Sequence, residues 1–157
     1  MFWRRKREDL YERPLPPARV TLAAIGFVHN EVKRPRPRGW ERVESRIELL
    51  PGHARRLAGL DAYSHLLVVF YMDVAADAGD KPETIKLASG TTYGMFATRS
   101  QLRPNHLGVS AVGLLAVEGA SLRVRGLDAI DGTPVLDIKP YLPEYDSVPG
   151  ARIPSGR

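Results

Sequence analysis

The sequence predicts an all-β protein, a small closed β-barrel of about six or seven strands with one short helix. Three observations carry that expectation. Short apolar runs recur between glycine- and proline-bearing turns. Only one stretch, residues 54–58, has the spacing of a short helix. No strand–helix–strand alternation of the kind that builds a parallel sheet is present. At 157 residues, 43% of them hydrophobic, the chain is long enough to bury one core without covalent staples.

Taken in order, residues 1–18 are interrupted by Pro14, Pro16 and Pro17 and read as a flexible basic arm. The barrel domain is expected over 19–149, with an irregular tail at 150–157. Its first strand falls at residues 20–28, where β-branched and aromatic residues crowd. A basic loop follows at 31–41, and its prolines hold Arg34, Arg36 and Arg38 extended beside Trp40. Those arginines suit phosphates or stacked bases, whereas Trp40 reads equally as a core anchor opening the next strand. Residues 42–50 alternate, with Val43, Ile47 and Leu49 on one face and Glu44, Arg46 and Glu48 on the other. The short helix at 54–58 ends at Gly59.

Residues 63–72 are continuously apolar after their first three positions, so they predict a strand buried on both faces. Residues 73–92 are polar and read as the longest loop, a lid or binding loop by its length. A short strand at 93–97, a hairpin of 107–117 with 122–127, and a last strand at 135–138 complete the set.

Charge and composition bound the function. Residues 1–60 hold 14 Lys/Arg against 7 Asp/Glu, so all the excess of the +5 net charge lies there, as in a footprint for a polyanion. The absence of cysteine excludes disulfides, thiolate catalysis and cysteine-held metals. No apolar run nears the roughly 18 residues of a membrane span, and no signal-peptide core follows the basic N-terminus. A cytoplasmic protein is expected.

Two segments carry too many polar groups to be core, and turn residues fix them too tightly for casual loops. The first, residues 95–108, places Arg99 and Arg103 around Ser100, with Asn105 and Gly108 beyond Pro104. Such arginines can grip a carboxylate or phosphate, or can clamp a neighbouring aspartate. The second, residues 128–141, contains Asp128, Asp131 and Asp137. Oxygen ligation of a metal is conceivable, but turn chemistry at Asp131-Gly132 explains the pattern with less, and no metal is expected. His29, His53, His65 and His106 lack ligand spacing, and no Gly-x-Ser-x-Gly elbow supports a serine hydrolase. The residues alone lead to a polar small-ligand site on a β-scaffold.

The combination is more specific. Phe-Ala-Thr-Arg-Ser-x-x-Arg-Pro-Asn-x-x-Gly at 96–108, followed by Asp-x-x-Asp-Gly-Thr-Pro-Val-Leu-Asp-Ile-Lys-Pro-Tyr at 128–141, resembles the TsaA-like, or TrmO, family. Ile25-Gly26-x-Val28, and Gly59-Leu60 before Tyr63-Ser64-His65, add to the likeness, which spans residues 20–146.

The resemblance implies a homodimeric β-barrel methyltransferase that uses S-adenosylmethionine. It would act on the N6 of threonylcarbamoyl-adenosine beside the anticodon of a tRNA. By the same resemblance Phe96, Ala97, Thr98, Arg99, Leu107, Gly108, Asp128, Asp131 and Gly132 would hold the cofactor. Arg36, Arg38, Arg103, Asn105 and Lys139 would meet the RNA, and Asp131, His65 and Tyr141 are candidates for moving a proton.

Three departures stand out. The family's Pro-Arg-Gln is replaced by the arginine- and proline-rich loop ending at Trp40. Asp73 stands where a histidine is usual, and Asn-Pro-Ile-Gly appears as Asn105-His106-Leu107-Gly108. They leave open a different acceptor, or an RNA-binding barrel without catalysis.

Overall fold

The chain closes on itself through six antiparallel strands. In the computed structural model, which describes residues 15–79 and 81–154, the strands are β1 (Gly26–His29), β2 (Glu44–Leu49), β3 (His65–Tyr71), β6 (Leu107–Glu118), β7 (Ser121–Arg125) and β8 (Pro134–Pro140). Around the barrel they run β1-β2-β7-β6-β3-β8, and β8 returns to β1. The remaining two strands, β4 (Thr84–Lys86) and β5 (Thr92–Gly94), form a separate ribbon. The expected all-β barrel is the fold observed.

Inward side chains make a single core. Val28, Ile47, Leu66, Val68, Val112, Leu122, Val124, Leu127 and Val135 are almost fully buried. In β2 the predicted alternation holds, with Ser45, Ile47 and Leu49 inside and Glu44, Arg46 and Glu48 outside. Two irregularities bend the wall: the β3–β8 register shifts between Val69 and Phe70, and the β6–β7 register between Leu114 and Ala116. Such bulges increase local twist, and here they let β6 pair with β3 along its first half and with β7 along its second.

Several expectations are corrected. The first strand begins at Gly26 rather than residue 20, because Val20 and Leu22 find no neighbouring strand and remain exposed. The expected helix at 54–58 is a 3-10 turn, Ala54–Leu57, that buries only Leu57. Four residues with one buried anchor cannot repay helix nucleation. Helices form instead where loops were expected, at α1 (Asp73–Asp77) and α2 (Pro143–Asp146). The stretch 73–92 is thus largely α1 and the β4–β5 ribbon, although residue 80 lies outside the described set. The strand expected at 93–97 ends at Gly94 and passes into a 3-10 turn, Met95–Ala97. Finally, β3 is not buried on both faces. Leu66, Val68 and Phe70 point inward, whereas Leu67, Val69 and Tyr71 are half-buried on the outer wall, since a barrel has one interior. The greater part of the expected basic arm, residues 1–14, lies outside the described residues. Among the described residues no helix is long and apolar enough to cross a membrane.

Gly26 shows how tightly β1 is seated. A Cβ there would lie 2.4 Å from the Glu48 carbonyl oxygen, which is backbone and cannot yield. Gly26→Ala should therefore cost about 1–3 kcal/mol, read as a lower urea midpoint at unchanged m-value. Wild-type stability in this variant would contradict the seating.

Candidate functional site

A cleft of about 1080 Å³ opens at the end of the barrel where β3 finishes and β6 begins. Its walls come from four places. The loop before β6 contributes Phe96 to Gln101 and Arg103, and β6 itself contributes Leu107 to Ser110. Asp128, Ala129, Ile130 and Thr133 contribute the next stretch of wall. Phe70, Met72, Asp73, Val74 and Ala75 line another side, and the basic loop adds Pro35, Arg36, Pro37 and Trp40.

The loop before β6 is held by its own hydrogen bonds. Thr98 is buried and its hydroxyl donates to the Met95 carbonyl at 2.8 Å. Arg103 donates from Nε to the Ser100 carbonyl and from Nη2 to the Thr98 carbonyl, at 3.0 and 2.8 Å. These bonds fix the backbone that presents Arg99. Arg99 remains exposed, with Nη2 donating to the Val109 carbonyl at 2.7 Å.

His106 ends the loop at φ 51°, a left-handed conformation that proline, the residue the family resemblance led one to expect there, cannot adopt. Its Nδ1 donates to the Gln101 carbonyl at 3.0 Å, and its carbonyl accepts from the Met72 amide at 2.8 Å. It is buried edge-on to Tyr71, so its role is to fasten the loop to the end of β3. Gly108 is a glycine for a packing reason, because a Cβ there would fall 2.2 Å from the Phe70 ring.

The wall formed by residues 128–133 is clasped to the end of β1. Asn30 is the hub: its side-chain amide donates to the Ala129 carbonyl and the Ser45 hydroxyl, each at 2.9 Å, and its Oδ1 accepts from the Val32 amide. Asp131 accepts from the Asn30 amide at 3.0 Å and from Lys33 Nζ at 2.7 Å. The Lys33 ammonium and then the Asn30 amide hold the Asp131 carboxyl below its ordinary range. Asp128 differs. Burial pushes its carboxyl above the ordinary range, against a smaller opposing pull from Arg99. The cleft thus holds a cation and a carboxyl near each other, Arg99 bonded to the Val109 carbonyl and the Asp128 amide to the Ser110 hydroxyl.

Of the residues named from sequence, Phe96, Ala97, Thr98, Arg99, Leu107, Gly108 and Asp128 line the cleft together with Arg36 and Arg103. Asp131, Gly132, Arg38, Asn105 and Lys139 are not among the lining residues, and Lys139 pairs with Asp137. His65 and Tyr141 lie together, ring centroids 6.5 Å apart, at the other end of β3. Six residues of strand put them roughly 20 Å from the cleft end. The sequence left open a pairing of Arg99 with Asp128 or Asp131, and among the described residues neither forms: Arg99 bonds the Val109 carbonyl and Asp131 is engaged by Lys33. Among the described residues no group of three potential metal ligands is found. Sequence reasoning missed Asn30, whose value lies in non-local partners, and it missed Phe70 and Met72 as cleft residues; Asp73 it named only as a departure from the family pattern, with no role in the site. Asp73 could have been found, since it begins a polar segment directly after an apolar strand.

Comparison with known proteins decides the family. Residues 27–147 match the family described as tRNA-methyltransferase O N-terminal domain. The chain belongs to that family. It is 33% identical to a probable S-adenosyl-L-methionine-binding protein of Pyrococcus abyssi, over 87% of this chain and 76% of the relative. It is 41% identical to the tRNA (adenine(37)-N6)-methyltransferase of Escherichia coli, over 62% of this chain and 44% of that enzyme. The solved structure of TrmO from Pseudomonas aeruginosa superposes with a TM-score of 0.71 at 33% identity, covering 85% of this chain and 61% of that one. The chain therefore spans about three fifths of that solved relative.

Asp131 gives a pH test. Its folded carboxyl is depressed, so its contribution is present above the unfolded value of about 4 and is lost as pH falls through the lower folded value. Asp131→Asn should cost about 1 kcal/mol at pH 7, allowing for solvent exposure, and the difference should vanish in acid unfolding series. A difference that persists unchanged at low pH would contradict the ion pair.

Proposed function

We propose that this chain binds S-adenosylmethionine in the cleft and transfers its methyl group to RNA, with the N6 of threonylcarbamoyl-adenosine in a tRNA anticodon loop as the acceptor. The observation that carries the reading is that Arg99 and Asp128 line one cleft, in a chain of this family. The donor set fits the cofactor. Arg99 suits its carboxylate, and Asp128 suits its ammonium or ribose hydroxyls. Phe96 keeps 83% of its surface exposed at the rim and offers an apolar face to the adenine.

When bound, the cofactor supplies a methyl already activated by a sulfonium, so the chain's task is alignment. The self-bonded loop from Met95 to His106 fixes one wall before any ligand arrives, and the Asn30 clasp fixes the other. The acceptor nitrogen must also lose a proton. Asp131 is poorly suited to take it, because Lys33 stabilises its ionised form. His65 is better placed chemically: the Ser64 hydroxyl lies 2.9 Å from its Nδ1 and can orient the ring.

A homodimer reconciles the distance of His65 and Tyr141 with a catalytic role. His65, Leu67, Val69 and Tyr71 form one outward row on β3, flanked by Ala111 and the exposed Val109 of β6. Two-fold packing of this apolar face against its copy, with the β3 strands antiparallel, would lay His65 and Tyr141 of the partner subunit toward the cleft. On this reading the protein acts in the cytoplasm, where tRNA is its partner.

Two outcomes follow. Arg99→Ala should weaken S-adenosylmethionine binding about 10- to 100-fold by calorimetry, as loss of a charged hydrogen bond does. Affinity should also fall on acidification at a pH above the ordinary carboxylate range, because Asp128 is raised, and Asp128→Asn should abolish that limb. Unchanged affinity in both variants would remove the cofactor assignment. For the dimer, a hybrid of one Arg99→Ala subunit and one His65→Ala subunit should keep about half of wild-type activity, since one of its two shared sites is intact. An inactive hybrid would place both residues in the same subunit's site or remove His65 from sharing.

A further inference from the structure

The last described stretch of the chain reaches the cleft from the other end of the barrel. Tyr141 is fixed at that far end, its amide donating to the His65 carbonyl at 3.0 Å, and α2 follows at once. Pro154 nevertheless lines the cleft, beyond the opposite end of β3. The chain from 141 to 154 thus crosses roughly 20 Å, a span within its reach even with a helical turn in it. One tight turn steers it. Pro149 and Gly150 occupy the centre of that turn, Gly150 at φ 78°, and the Ala151 amide donates to the Val148 carbonyl at 3.2 Å. Proline followed by a left-handed glycine is the pattern of a type II turn, and residues 151–154 run on from it to the cleft.

Little else holds this segment. Among the described residues, 148–154 make no hydrogen bond and no ion pair with the barrel. Val148 and Ile153 are apolar, yet they keep 71% and 75% of their surface exposed. The stretch also lies past residue 147, where the family match stops, so no relative's role carries over to it. An apolar segment delivered to the cleft wall but not bonded there gains by covering a ligand in the cleft. We propose that residues 147–154 are a strap that closes over the bound cofactor, with Ile153 and Pro154 as its covering residues. Closure sheds water from the cleft, and the contacts of Arg99 and Asp128 with the cofactor strengthen as the surroundings become drier. Pro149 and Pro154 restrict the free chain, so less conformational entropy is lost when the strap orders. The strap is then the last wall of the site, and its opening sets how long the cofactor stays. The inference rests on the cofactor reading of the cleft given above.

Arg152 provides the readout, because it is exposed within the strap and trypsin cuts after it. Arg56, exposed on the turn Ala54–Leu57 at the far end of the barrel, is the internal control. At saturating S-adenosylmethionine, cleavage at Arg152 should slow about 10-fold relative to cleavage at Arg56, since proteolysis follows the population of the open form. Two sites are compared because a ligand stabilises the whole fold and slows every cut that needs global unfolding. Ile153→Ser and Pro154→Ser are neutral changes at exposed positions. Each should weaken cofactor binding about 3- to 10-fold, the size of one partly covered apolar side chain, chiefly through faster release. Cleavage at Arg152 and Arg56 slowed in the same ratio would overturn the strap. So would faster cleavage at Arg152, since the cofactor would then expel the segment rather than recruit it. Wild-type protein that gives no heat with S-adenosylmethionine would remove the cofactor reading and the strap together, whereas heat without protection at Arg152 would remove the strap alone.

Discussion

The barrel depends on its shortest seam. β1 and β8 share only two register pairs, Gly26 with Val135 and Phe27 with Pro134, and the ring cannot close without them. Beyond those pairs the seam continues as a set of irregular bonds. Val28 donates to Thr133, Gly132 donates to Val28, Asp131 donates to Val32, and Asn30 reaches Ala129 and Ser45. The wall that carries Asp128 is the continuation of that clasp. Closure of the fold and construction of the cleft are therefore one event, and a change that loosens Asn30 would act on both.

The two walls are made rigid in different ways. The loop from Met95 to His106 satisfies its backbone with its own side chains, Thr98 and Arg103 above all, and His106 accepts a left-handed backbone to fasten it. The wall formed by residues 128–133 is bonded by residues about a hundred positions earlier in the chain. Arg99 and Asp128 both stand exposed in the cleft, the one cationic, the other with its carboxyl raised by partial desolvation. A rigid cleft that presents a cation and a carboxyl together is suited to a zwitterionic ligand, because neither group's support must reorganise when the ligand arrives.

Much of the fold was legible because a barrel writes its period into the sequence. The alternation around Ile47 and Leu49, and the hairpin turn at Gly119, are local signals. What misled were local signals without a tertiary partner. Val20 and Leu22 have strand propensity and no strand beside them, and residues 54–58 have helical spacing with only Leu57 to anchor it. The site was half legible for a related reason. Motif residues on one loop, such as Phe96 and Arg99, came together because the loop is self-contained. His65 was readable at the start of β3, but that Tyr141 joins it there while the cleft opens at the other end follows from register, which one strand's sequence does not contain. Asn30 gave no local signal at all.

The central claim is that the two polar segments bind the methyl donor between Arg99 and Asp128. A crystal structure of the protein soaked with S-adenosylmethionine tests it directly. The ligand's amino-acid end should lie between Arg99 and Asp128, with its methyl directed toward the side lined by Arg36 and Trp40. Ligand bound elsewhere, against Asp131 or Gly132 outside the cleft, or an unliganded cleft at saturating cofactor, would contradict it.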